Sequence, residues 1–499
     1  MCRASLTYEP RSPGGDVLYR IVRDHFETFR AQAASLREGE GLPRFVEQAF
    51  RDYLRCGWLA GGFARFRCGD CGLDRLVAFS CKGRALCQSC GGRRMAERAA
   101  HLVDRVLPDV PVRQWVLTFP YRLRYQLAWH HDRCRMAADV LLHAIFRVLH
   151  ARAEEAGVED GRGGGVVMIQ RFGGALNLNV HLHALVLDGV YATDRQGRPV
   201  FQPVIRLTTM DVEEVLAAVE PRLARRLGGL GGNVDAGDSA AIDTWAEEAP
   251  VLAGLAAASV QNVAALGPRR GAHPRRLGVP QEPEDGGSPA WCHARSPGFS
   301  LHAALVIPAG QRARLERVCR YTLRPPVARE RLTLTADGQV RLVLKRPWHD
   351  GTTDLVFTPL ELLERLAVLV PRPRVNLLLY YGVLGARSAW RAAVVPRKDA
   401  GRAPDASEVG AADARGPTSR ARGRRWAALM QRTFGFDVLA CPRCGGRLGL
   451  VALIEQSATI ERILRHLGLP TGIPAPQPAR APPAIDPVSS ELGEADAAR

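Results

Sequence analysis

Two Cys-x-x-Cys pairs, 68-CGDC-71 and 87-CQSC-90, stand fifteen residues apart. Each pair makes a knuckle that can present two thiolates to one tetrahedral ion. Four thiolates close the coordination of Zn²⁺, so a site on Cys68, Cys71, Cys87 and Cys90 is structural rather than catalytic. The intervening 75-RLVAFS-80 suits a strand, which predicts a zinc-ribbon-like domain over 61–110. Cys81 is a fifth thiol in the cluster, open either to replacing a ligand or to standing free. A second knuckle, 441-CPRCGG-446, has no partner pair nearby. Zinc with ligands from elsewhere (Cys56, for instance), zinc shared across a dimer, and a bare turn all remain open for it.

The rest of the chain is globular in composition. Its 499 residues suffice for two or three domains, with 46% hydrophobic and 24% charged residues. No apolar run approaches the roughly 18 residues of a membrane span, which predicts no membrane partner. The opening 1-MCRASLTYEPRSPGGD-16 lacks the apolar centre of a signal peptide, so a soluble cytoplasmic protein is expected. In that compartment twelve cysteines point to metal rather than disulfides. The net charge of +17 favours a polyanionic partner. Only three of the 68 basic residues are lysines (Lys82, Lys345 and Lys398). That bias is what a GC-rich genome would produce, so the charge excess says more than the choice of arginine.

The pattern predicts a helical segment over 1–60, with two amphipathic helices within 16–56, ahead of the zinc region. From 111 to 395 it is mixed. 114-QWVLTFP-120 and 166-VVMIQRF-172 suit strands flanking a helical region at 123–156, and another strand is expected at 198–207. Helices are expected at 211–227, 239–266 and 310–324, and a hairpin with an Asp-Gly turn at 331–345. A Gly/Pro/charged insertion spans about 267–298. A linker at 396–424, a short C-terminal module at 425–469 and a disordered tail at 470–499 complete the reading.

Within this mixed region, 180-VHLHALVLDGVY-191 places two histidines in an aliphatic strand. Residues i and i+2 share a face, so His181 and His183 point the same way, about 7 Å apart along the strand. They could chelate one divalent ion or be two hydrogen-bonded core histidines. Gln170, in the preceding strand, could supply a third ligand if the strands pair. Two imidazoles and an amide oxygen leave open positions, suited to Mg²⁺ or Mn²⁺ polarising a phosphate. Further on, 311-QRARLERVCRYTLRPP-326 reads as a basic helix ended by Pro325-Pro326. Tyr321 lies near its C-terminal end, with Arg317 and Arg324 on its side and Arg320 adjacent. These three arginines are candidate DNA contacts.

Taken in order, these elements resemble the HUH-type rolling-circle transposases of the insertion-sequence ninety-one group. The resemblance runs through 67-RCGDCG-72, 81-CKGRALCQSCGGRR-94, 113-RQWVLTFP-120, 170-QRFGGALNLNVHLHALVLDGVY-191, 299-FSLHAALV-306, 315-LERVCRYTLRPPVARERL-332, 345-KRPWHDGTTDL-355 and 426-WAALMQRTFGFDVLACPRCGGRL-448. It covers about residues 16–469. It implies an α+β fold, an HUH-endonuclease-like antiparallel sheet with helices packed on it, preceded by the helical and zinc-ribbon domain. It also implies a nucleoid-associated bacterial enzyme that cuts and rejoins single-stranded DNA at the element ends and the target. His181 and His183 would then hold the metal, and Tyr321 would be the nucleophile that forms a 5′-phosphotyrosine.

Some members carry a second tyrosine one turn earlier, where this chain has Arg317. Histidines would also be expected near Asn376 and Tyr381. Tyr121 and Tyr125, spaced i, i+4, form a rival nucleophile pair upstream of the histidines. A replication initiator or relaxase with the same core, and a zinc-ribbon DNA-binding regulator without catalysis, are the alternative functions.

Overall fold

The computed structural model describes residues 12–36, 39–204, 207–227, 243–279, 291–396, 427–432 and 437–480. The expected linker beyond Pro396 and the tail beyond 480 lie outside the described residues, as do parts of the 267–298 insertion and of the helix expected at 239–266.

The N-terminal helices are α1 (Val17–Ser35) and α2 (Arg44–Arg55). Asp16 caps α1, its carboxylate accepting from the Leu18 and Tyr19 amides. Phe26 of α1 stacks on Phe50 of α2, centroids 4.8 Å apart. Strands β1 (Phe63–Cys68) and β2 (Asp74–Ala78) follow, and then α3 (Gln88–Arg105).

A six-stranded antiparallel sheet occupies the centre. Its strands are β3 (Val112–Thr118), β4 (Gly164–Phe172), β5 (Leu178–Leu187), β9 (His293–Ser296), β10 (Phe299–Ile307) and β14 (Leu378–Gly382), in the order β14-β4-β5-β3-β10-β9. Val180, Leu182, Ala184 and Val186 of β5 are all fully buried. Burial of each valine or leucine there is worth about 1.5–3 kcal/mol. Because side chains alternate, that burial fixes His181 and His183 on the opposite face, and a one-residue slip would drive them into the core.

The first face packs against α4 (Tyr121–Trp129), α5 (His131–Glu155), α6 (Thr209–Arg226), α8 (Pro250–Val260) and α10 (Pro359–Leu369). On the histidine face, Met168, Leu185 and Leu187 pack with Leu102 and Val103 of α3 and with Leu315 and Cys319 of α9 (Arg312–Thr322). Asp188 clamps this arrangement: its carboxylate accepts two hydrogen bonds from buried Arg113 of β3, at 2.7 and 3.0 Å, while Arg113 also donates to Ala303 O of β10.

A second antiparallel sheet, β11-β12-β13-β8, contains the expected hairpin of β11 (Leu332–Leu334) and β12 (Val340–Val343). Gly338 takes φ +77° at its turn. The edge strand β8 (Arg275–Gly278), paired with β13 (Thr352–Phe357), and strand β9 both lie in the 267–298 stretch expected to be a loop. Their short exposed pattern carries too little hydrophobic alternation to mark a strand. The C-terminal module does not stand alone either. Its strand β15 (Leu448–Ile454) pairs along β1, giving the sheet β15-β1-β2. Part of the expected tail also packs back: the Gln477 and Arg480 amides bond to Arg23 O and Thr28 Oγ1 of α1.

Candidate active site and zinc centres

Strand register places three ligand-type side chains side by side. Gln170 of β4 lies directly opposite His181 of β5, and His183 lies two residues along. The two imidazole centroids are 5.0 Å apart. His181 Nδ1–H donates to Asn179 O at 2.8 Å, which leaves its Nε2 with a lone pair. His183 Nδ1 faces the Gln114 amide at 3.1 Å, and its buried Nε2 has no partner. Gln170 donates through Nε2 to Thr322 O at 3.0 Å, while its buried Oε1 is unsatisfied. Burial pulls His181 down to about 4 and His183 to about 3, and the Arg324 charge lowers both further. Both are therefore neutral at physiological pH, the form a metal requires. Buried polar atoms without partners are costly. Three in one patch, all good donors to a cation, fit a divalent ion.

Helix α9 brings Tyr321 to this patch. Its ring meets His183 edge-on, with centroids 6.2 Å apart and planes at 89°. The Arg324 guanidinium sits 4.1 Å from the Tyr321 centroid and Lys345 Nζ 5.5 Å from it. The tyrosine is 49% exposed, so a substrate can reach it.

The cysteines do not assemble as the spacing suggested. The tetrad Cys68, Cys71, Cys87, Cys90 is replaced by two others: Cys56 with Cys81, Cys87 and Cys90, and Cys68 with Cys71, Cys441 and Cys444. In the first, Sγ separations are 3.6 Å (Cys56–Cys87), 3.7 Å (Cys56–Cys90) and 3.6 Å (Cys81–Cys90). In the second they are 3.5 Å (Cys68–Cys444) and 3.6 Å (Cys71–Cys441). A tetrahedron with Zn–S bonds of about 2.3 Å has edges of about 3.8 Å, so both sets fit structural Zn²⁺. The physical reason is the sheet β15-β1-β2. It sets the knuckle 441–444 against the knuckle 68–71, while 87–90, at the start of α3, faces the end of α2. Cys81 is thus a ligand, and Cys56 belongs with it rather than with Cys441.

Family comparisons agree with this layout. A transposase zinc-binding domain matches residues 21–119, which include all six cysteines from Cys56 to Cys90. A family described as "Putative transposase" matches residues 164–391, which include Gln170, His181, His183 and Tyr321. The chain belongs to the transposases of the insertion-sequence ninety-one group. No curated protein and no solved structure matches it significantly. Among the described residues, no helix of the transposase is long and apolar enough to cross a membrane.

The other expected residues fall as follows. Arg324 lies between Tyr321 and Phe172, and Arg317 is exposed. Arg320 is paired with Glu316 on its own helix, so its charge is already compensated. Tyr125 of the transposase donates to Asp243 at 2.9 Å and stacks on Trp245. Burial and that carboxylate push its hydroxyl upward, against phenolate formation. His302 stacks on His293 at 3.6 Å, two strands away from His183. Sequence reasoning missed Gln114 and Lys345. Both stand in the motifs that carry the family resemblance, but nothing local marks them.

Proposed function

We propose that this transposase cuts and joins single-stranded DNA on an HUH-type sheet, through a 5′-phosphotyrosine on Tyr321, in rolling-circle transposition. The observation that carries this reading is the Tyr321 ring set edge-on to His183, beside three unsatisfied ligand atoms. A Mg²⁺ or Mn²⁺ ion held by His181, His183 and Gln170 would neutralise the non-bridging oxygens of the scissile phosphate. Arg324 and Lys345 supply positive charge beside the phenol, which favours its ionised form as the proton leaves. Tyr321 Oη attacks phosphorus, the P–O3′ bond breaks, and the leaving oxygen takes a proton to become a 3′-OH. The new ester keeps the free energy of the phosphodiester, so a second 3′-OH can reverse the step and release Tyr321.

The test uses a labelled single-stranded oligonucleotide from the element end, incubated with Mn²⁺. A denaturation-resistant adduct is expected, and Tyr321→Phe should abolish it. An adduct that survives that change and disappears in Tyr121→Phe would move the nucleophile upstream and overturn the assignment.

A further inference from the structure

A cavity of about 290 Å³ opens between α3, strand β4, the end of α9 and the 371–378 segment. Arg84, Arg94, Arg98, Arg171, Arg324 and Arg374 line it, and no carboxylate does. Among the described residues none of the six forms an ion pair with an acid. Several are instead pinned to backbone carbonyls: Arg84 to Val375 O at 2.7 Å, Arg94 to Lys82 O at 2.5 Å, and Arg171 to Ala128 O at 2.6 Å. The Nε atoms of Arg94 and Arg171 are buried without partners. Burial and mutual repulsion pull Arg84 and Arg94 below the ordinary guanidinium range.

Six like charges converging without a counter-charge raise the energy of the empty state, and an anion relieves it. The cavity shares Gln170, Thr322 and Arg324 with the surroundings of Tyr321, so its occupant lies next to the reacting phosphate. Its size suits one nucleotide of unpaired chain, not a duplex.

We propose that this arginine-lined cavity anchors the backbone phosphate adjoining the one attacked, making the zinc-bearing helix α3 part of the single-stranded DNA path. The proposal rests on the cleavage reading only for what lies beside the cavity. The contact between α3 and α9 gives it a rigid wall: a Cβ on Gly91 would fall 2.8 Å from Pro325 Cβ, so only glycine lets the two elements meet this closely.

Arg84 and Arg98 are exposed, so Arg84→Gln/Arg98→Gln can be made without disturbing the core. Arg195→Gln, in the exposed turn 194–197, is the control. Fluorescence anisotropy of a labelled oligo-dT in EDTA, over a salt series, reads binding without cleavage. The double variant should bind at least tenfold more weakly, and its log K against log[salt] slope should be shallower by about 1.4 for two lost phosphate contacts on a single strand. Its zinc content should equal that of the wild type. Affinity and slope equal to those of Arg195→Gln would overturn the proposal. Weakened binding in the variant, with no adduct from the wild type on any substrate, would leave this path standing and remove the cleavage reading instead.

Discussion

At the scale of single residues, the tautomer of His183 decides whether the metal patch can work. An ion bound through Nε2 needs the hydrogen on Nδ1. The only side chain at Nδ1 is the Gln114 amide, which can accept that hydrogen once its oxygen is turned toward the ring. Gln114→Leu should therefore raise the Mn²⁺ concentration for half-maximal adduct formation by about 10–100-fold, the usual cost of a lost second-layer partner. Gln114→Glu, which can only accept at neutral pH, should restore it; equal Mn²⁺ dependence in all three proteins would end the argument. The same two histidines govern acid stability. In the unfolded chain both titrate near 6.5, whereas in the fold they sit at about 4 and 3. Between roughly pH 3 and 6.5 the unfolded state binds more protons, so stability rises with pH there and is lost as pH falls below about 6.5. For the pair the loss is on the order of several kcal/mol by pH 4. Urea unfolding of the metal-free protein at pH 7 and pH 4.5 measures it. His181→Gln/His183→Gln should flatten the difference, and an undiminished drop in that variant would assign the acid sensitivity elsewhere.

At the scale of elements, the two zinc centres make a clean numerical expectation. Metal analysis of the purified protein should give two zinc ions per chain. Cys441→Ser/Cys444→Ser should leave one, and Cys87→Ser/Cys90→Ser should also leave one. A single ion in the wild type, unaffected by loss of Cys441 and Cys444, would restore the tetrad that the spacing alone suggested. The knuckles, the strands β3, β4 and β5, the helix α9 and the hairpin β11-β12 were legible because each is written in a local pattern of spacing or alternation. Which knuckle faces which was not, because ligand choice depends on a sheet partner about 370 residues away. One signal was present: Cys56, Cys81 and the three Cys-x-x-Cys pairs make eight thiols, the number that closes two sites of four. His181, His183 and Tyr321 could be nominated from strand parity, helix position and family resemblance. Gln114 and the arginine cavity could not, since they arise from inter-strand register and from the approach of α3 to β4. The edge strands β8 and β9 were hidden for a related reason: a short exposed strand buries too little to need an alternating pattern.

At the scale of the whole molecule, the second zinc site holds the two ends of the chain together. It joins β1 to β15, the helix Ser457–His466 covers Phe63 through Ile460 and Leu464, and Arg432 pairs with Glu316 of α9. Structural Zn²⁺ is worth about 10–16 kcal/mol of apparent binding free energy in small zinc modules, far more than the β1–β15 ladder with so small a core. The ladder should thus depend on the metal, whereas the central sheet, with its two packed faces, should not. Hydrogen exchange on Cys441→Ser/Cys444→Ser separates the two. Amides of Phe63–Cys68 and Leu448–Ile454 should lose protection by orders of magnitude, while those of Val112–Thr118 and Leu178–Leu187 keep theirs. Protection retained across β1 and β15 would mean that packing alone closes this domain, and that the zinc adds little to it. Loss of protection spreading into β5 would mean the opposite extreme, a clasp whose release reaches the strand that carries His181 and His183.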